Sequence, residues 1–166
     1  MTTTKPHQQE NFSVLIIEDE DKIAKILITY LELYPKFKRV VWAKDGAEAM
    51  QKLVNQDFDL VITDIVLPKR DGITFLDTIR KMPKYFHQKV MVVSGCMTAD
   101  LTLKCVKRGV KHIIVKPFTA RQLLLKSISF LKAEKDPKAT VDEIIDKMAR
   151  RFLDKSSEPV EVDDLE

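Results

Sequence analysis

Five short apolar runs punctuate the first 115 residues, and each is followed by a stretch whose apolar positions recur at helical spacing. The runs are Val14-Leu15-Ile16-Ile17, Arg39-Val40-Val41-Trp42-Ala43, Leu60-Val61-Ile62-Thr63, Lys89 to Val93 and His112-Ile113-Ile114-Val115. Most are near-continuous in Val, Ile and Leu, the pattern of strands buried on both faces. Ile23, Ile26, Leu27, Tyr30 and Leu31 predict a helix after the first run, with Asp19 to Asp21 supplying acid at its start. Asp45-Gly46 opens a second, with Ala47, Met50, Leu53 and Val54 on its inner face. A loop with Pro68 and Gly72 leads to Ile73, Leu76 and Ile79. Ser94-Gly95 precedes a helix around Leu101 to Lys107, which Gly109 stops as a C-terminal cap. Thr119-Ala120-Arg121-Gln122 has capping-box form for a fifth helix. Five β-then-α units predict an α/β fold, a parallel sheet covered on both faces.

Beyond Lys135-Asp136-Pro137 the pattern changes. Thr140-Val141-Asp142-Glu143 reads as another capping box, and Val141, Ile144, Ile145, Met148 and Phe152 form one apolar stripe. That stripe has to be covered by the domain itself, by a second copy or by a partner. The expected organisation is a disordered segment over 1–11, one domain over 12–134, and an extension over 135–166 with a helix at about 140–154 and an acidic tail.

Composition narrows the function classes. With 45% hydrophobic residues the chain of 166 can bury a core, and no apolar run approaches the roughly 18 residues of a membrane span. The polar N-terminus lacks a hydrophobic signal core, so a cytoplasmic location is expected. Cys96 and Cys105 match no common metal or disulfide framework and read as reduced thiols. The net charge of +3 is too small to argue for nucleic acid, although it becomes +8 once the five acids of residues 158–166 are set aside. Four glycines and no Gly-x-Gly-x-x-Gly rule out a dinucleotide fingerprint.

Three runs end in charge: the first in Glu18-Asp19-Glu20, the third in Asp64, the fifth in Lys116-Pro117. If these strands are parallel neighbours, their C-terminal ends share the edge where open α/β sheets place ligands. Asp64 could attack phosphorus and form an acyl phosphate, or simply cap a helix. The Glu18-Asp19 pair would repel unless a cation such as Mg²⁺ lay between them; alternatively it only favours the start of the next helix. Lys116 offers a compact ammonium for a phosphoryl oxygen, and a cis bond to Pro117 would aim it. Ser94 ends the fourth run with a hydroxyl.

In their order and spacing these residues resemble a response-regulator receiver domain: Ile16-Ile17-Glu18-Asp19-Glu20, Asp59 to Pro68 through Asp71-Gly72, Val92-Val93-Ser94-Gly95, and Val115-Lys116-Pro117-Phe118. The likeness covers about residues 12 to 133. It implies a flavodoxin-like, doubly wound five-stranded sheet in the order 2-1-3-4-5, with five helices and an extra C-terminal one. It also implies that Asp64 accepts a phosphoryl group from a sensor histidine kinase or a histidine phosphotransfer protein. Asp19, Asp64 and the Val66 carbonyl would ligate Mg²⁺, Glu18 would act through a metal-bound water, and Ser94 and Lys116 would bind the phosphoryl oxygens. Output would pass to a downstream protein through the face of the fourth helix, fifth strand and fifth helix. Homodimerisation would use that face or the C-terminal helix.

There are two departures from the family pattern. Ile113 stands where members often carry a rotating aromatic switch, with His112 beside it as either a substitute or a strand-edge histidine. Val66 and Cys96 occupy positions that tune acyl-phosphate hydrolysis, and neither orients water well, which predicts a long-lived phosphoryl state. A constitutive interaction module with a vestigial site, or a receiver fragment of a longer regulator, is the alternative. A dehalogenase-type phosphatase would need a second carboxylate where Val66 stands.

Overall fold

The computed structural model describes residues 11–67 and 72–156. Their elements alternate: β1 (Phe12–Ile17), α1 (Asp21–Glu32), β2 (Phe37–Ala43), α2 (Gly46–Asn55), β3 (Leu60–Thr63), α3 (Gly72–Lys81), β4 (Val90–Ser94), α4 (Ala99–Lys107), β5 (His112–Val115), α5 (Ala120–Leu131) and α6 (Pro137–Ser156). The five strands form one sheet in the order β2-β1-β3-β4-β5, parallel throughout. This is the covered parallel sheet the apolar runs predict, in the doubly wound strand order the family resemblance implies.

The two sheet faces follow from the twofold period of a strand. Val14, Ile16, Leu60, Ile62, Met91 and Val93 pack under α1 and α5 with Leu27, Leu31, Leu123 and Ile128. Leu15, Ile17, Val61 and Val92 face the other way, onto Ala49, Leu53, Leu76, Ile79 and Cys105 of α2, α3 and α4. Every residue of β3 is buried, as suits the middle of a covered parallel sheet.

The helix ends behave as their residues dictate. The Asp45 carboxylate accepts from the Ala47 and Glu48 amides, and Thr119 and Gln122 form a reciprocal capping box. Gly109 takes φ +77° after α4. Its N–H donates to the Val106 carbonyl and that of Val110 to Cys105, which closes the helix as the sequence anticipates. A 3-10 turn at Pro83–Tyr85 gave no periodic signal in the sequence.

The last helix begins earlier than the Thr140 motif predicts. Asp136 accepts from the Ala139 amide and Pro137 takes the first turn, where its missing N–H costs nothing. Thr140 lies inside the helix and donates back to the Asp136 carbonyl. The apolar stripe is partly covered by the chain itself: Val141 is buried, and Ile144 and Ile145 pack against the α1–α5 side. Arg121 of α5 grips Asp142 through two hydrogen bonds of 3.0 and 2.7 Å. The connection is tied by Glu134, which accepts from the Tyr34 hydroxyl at 2.7 Å and pairs with Lys36 at 2.8 Å. Phe152, assigned to the same stripe, is exposed, because the stripe outruns its cover.

Among the described residues, the Ser127 hydroxyl is buried in α5 without a hydrogen-bond partner. An unmet buried hydroxyl costs on the order of 1 kcal/mol or more. Ser127→Ala is therefore expected to stabilise the domain by about 1 kcal/mol, read as a higher urea midpoint at an unchanged slope.

Candidate functional site

Strand register sets the site. Ile17 pairs with Thr63, so the next residues, Glu18 and Asp64, stand level at the C-terminal edge. Ser94 pairs with Val115, which places Lys116 one step beyond Ser94 on the adjoining strand. Backbone bonds extend the ladder past the strands: Asp64 N–H donates to the Ile17 carbonyl and Lys116 N–H to Ser94. Four residues separated by as many as 98 positions thus converge on one edge.

The side chains close a network. The Lys116 ammonium donates to Glu18 Oε2 and to Asp64 Oδ2, both at 2.7 Å. Asp64 Oδ1 accepts from the Ser94 hydroxyl at 2.7 Å and from the Val66 amide at 2.9 Å. Glu18 Oε1 accepts from the Glu20 amide at 3.2 Å. Glu18 is 1% exposed, Asp64 7% and Ser94 0%. The Lys116–Pro117 bond is cis.

Burial pushes the Glu18 carboxyl above its ordinary range, against the opposing pull of the Lys116 bond. For Lys116, burial is the largest single influence and pulls downward, but the bonds from Asp64 and Glu18 together outweigh it and raise the ammonium. Lys116 is therefore held charged between two carboxylates.

Whether this edge suits a divalent cation depends on the donors and the charge. Two buried carboxylates share one ammonium, which leaves net negative charge in a desolvated place. Glu18, Asp64, Asp19 and the Val66 carbonyl offer only hard oxygens, the ligand type Mg²⁺ takes. The donor chemistry fits. Among the described residues, however, no three acidic, histidine or cysteine side chains are grouped around a common point. Asp19 is exposed at the rim, and Glu18 and Asp64 are both turned to Lys116. Pro68 and Asp71, also part of the motif, lie outside the described residues.

Three residues support the site in ways the sequence reading did not assign them. Trp42 Nε1 donates to the Glu18 carbonyl at 2.8 Å, and the Thr63 hydroxyl donates to the Asp64 carbonyl at 2.8 Å. Gly72 lies against the backbone of Asp64 and Ile65, and its N–H donates to the Ile65 carbonyl at 2.8 Å. The signal in the sequence was the glycine at the first helical position eight residues after Asp64. Ile113 packs beside the α2–α4 side of the sheet. His112 lies against the Phe130 ring, centroids 4.2 Å apart, and burial followed by the charges of Lys126 and Lys111 lowers its pKa. It stands at the start of β5, away from the Lys116 end.

Comparison with known proteins agrees with this fold. Residues 14–129 match the family model described as the response regulator receiver domain. The chain is 32% identical over 114 residues to chemotaxis protein CheY-3 of Vibrio cholerae, covering 69% of this chain and 87% of that protein. It is 32% identical over 134 residues to protein-glutamate methylesterase/protein-glutamine glutaminase 2 of Nitratidesulfovibrio vulgaris, covering 80% of this chain. Of that relative's length the chain spans only 34%. The crystal structure of the phosphorylated cyanobacterial phytochrome response regulator RcpA is similar at 26% identity with a TM-score of 0.61, covering 68% of this chain and 86% of that one.

Proposed function

The chain belongs to the response regulator receiver domain family of two-component systems, and from that premise we propose that Asp64 is its phosphoacceptor. The observation that carries this reading is the network in which one ammonium and one hydroxyl both reach the Asp64 carboxylate. In the transfer, an Asp64 carboxylate oxygen forms the new P–O bond as the P–N bond to a phosphohistidine breaks and the departing imidazole takes a proton. With a small donor such as acetyl phosphate, acetate leaves instead. Lys116 and Ser94 then pass their hydrogen bonds from the carboxylate to the equatorial phosphoryl oxygens, where charge resides in the transition state. Both groups are already fixed at the edge, so little reorganisation is needed at that moment.

Asp19 and Asp64 would hold a Mg²⁺ with the Val66 carbonyl, and Glu18 would assist through a bound water. When bound, the ion neutralises phosphoryl charge. Support for this comes from the all-oxygen donor set and the surplus negative charge, and from the family. The phosphorylated state of the similar RcpA structure supports phosphoryl transfer to this domain as well.

Signalling would proceed by binding. The new anion at Asp64 draws Ser94 and Lys116, and with them the loops after β4 and β5 that lead into α4 and α5. Leu103, Val106 and Val115 are exposed on α4 and β5, an apolar face ready for a downstream protein or a second copy. The apolar half of α6 is engaged on its own domain, which favours the α4–β5–α5 face over the C-terminal helix for either contact. The kinase or phosphotransfer donor would approach the C-terminal edge of the sheet at Asp64. The domain would act on no substrate but itself, in the cytoplasm; no helix among the described residues is long and apolar enough to cross a membrane.

Incubation with acetyl phosphate and Mg²⁺, followed by intact-mass measurement, tests the proposal. One phosphoryl adduct is expected in the wild type and none in Asp64→Asn. With Val66 and Cys96 flanking the site, the adduct is expected to persist for minutes or longer; decay within seconds would contradict that. Complete absence of label in the wild type would favour the phosphorylation-independent module, the reading that Ile113 supports.

A further inference from the structure

A second concave site lies at the other edge of the sheet. Its volume is about 600 Å³, within the range of small-molecule pockets. It is framed by the second half of α3, the loop into β4, the end of α4, the residue before β5 and the last turn of α5. Nothing in the phosphoryl chemistry uses it.

Its charge is one-sided. Five Lys and Arg side chains line it against the single carboxylate of Asp77. That carboxylate is spent: Arg108 holds it through two bonds of 2.7 and 3.0 Å, which keep its pKa below the usual range. Helix C-termini ordinarily make such an edge unfriendly to anions. Here Arg80 occupies the carbonyls of Arg108, Tyr85, Phe86 and Gln88, and Arg108 also reaches the Lys104 carbonyl. The two arginines thus neutralise the floor and stiffen it. Lys107 and Lys111 stand exposed at the mouth, and among the described residues neither has an acidic partner.

The pocket also has aromatic walls. Phe130 presents its ring between His112 on one side and the Lys89 ammonium, 5.7 Å from the centroid. Phe86 is 54% exposed on the facing loop. Free ammonium groups at the mouth and the open phenyl ring of Phe86 beside them call for a ligand with phosphates at one end and a flat ring at the other. We propose that this pocket binds a nucleotide, its base against the exposed ring of Phe86 and its phosphates on Lys107 and Lys111.

Calorimetric titration of the full chain with adenosine triphosphate, without Mg²⁺, tests it. Saturable one-to-one binding is expected, unchanged in Asp64→Asn. The pair Lys107→Gln/Lys111→Gln should weaken it by about tenfold or more, since each removes a charge-assisted hydrogen bond. The remote pair Lys25→Gln/Lys38→Gln, with the same loss of charge, should leave it intact, and Phe86→Leu should weaken it by roughly threefold or more. Tripolyphosphate and adenosine should each bind about tenfold more weakly than the intact nucleotide. Absence of saturable binding overturns the proposal, as does equal weakening by the two lysine pairs or tripolyphosphate binding as tightly as the nucleotide.

Discussion

Replacing Lys116 by Met is expected to destabilise the domain by about 3 kcal/mol at neutral pH, because it strands two buried carboxylates with no cation between them. The methylene stem is conserved in shape, so little of the loss is packing. The pH dependence distinguishes this from a simple cavity. Without Lys116, the force that holds the Glu18 proton off is gone and burial alone acts, so its folded-state pKa rises further above the unfolded one. A group raised in that way contributes stability at low pH that disappears as pH climbs through the folded value. Chemical denaturation of Lys116→Met should therefore show its deficit in full at neutral pH and above, shrinking toward acid. A deficit that is flat with pH would refute the electrostatic account. Phosphoryl uptake should fall by roughly a hundredfold or more, since a preorganised donor to the transferring group is lost.

The second large effect comes from a residue with no chemistry of its own. A methyl group at Gly72 would run into the Asp64 carbonyl oxygen and stand 2.8 Å from the Ile65 Cα. Both obstacles are backbone, so no side chain can turn aside. Gly72→Ala is expected to cost about 3 kcal/mol, at the upper end of overpacking, and to slow labelling by displacing Asp64 from Ser94 and Lys116. Gly95→Ala is the control. Its added methyl meets only the Lys116 Cδ, at 3.9 Å, and stability should change by less than about 0.5 kcal/mol. Comparable losses in the two variants would show that the close approach at Gly72 does not constrain the site.

How much of this was legible beforehand depends on whether the determinant was local. The five strands announced themselves because a parallel sheet covered on both faces demands unbroken apolar runs, and the charges at Glu18, Asp64 and Lys116 stood out where those runs stopped. Ser94 was legible for the same reason. The caps at Asp45, Gly109 and Thr119 are short-range and were read correctly. The start of α6 was not, since Asp136-Pro137 and Thr140 both carry start signals and the earlier one won. Register decides what the sequence could not. Ile16 faces Trp42 across β1 and β2, which brings the indole to the Glu18 carbonyl. The crowding at Gly72 likewise depends on a loop returning to the end of β3. Ser127 carries no signal at all, because an unmet hydroxyl looks in sequence like any helical serine. The basic pocket draws on α3, α4, α5 and two loops, and only the folded chain assembles it.

The central claim is that distant residues meet to make one carboxylate reactive toward phosphorus, and chemical mapping of the modified residue tests it most directly. After reaction with acetyl phosphate and Mg²⁺, borohydride converts an aspartyl phosphate to homoserine, which peptide sequencing by mass spectrometry locates. Conversion at Asp64 and nowhere else is the expected result. Conversion at Asp19, Glu18 or another acid, with Asp64 intact, would contradict it.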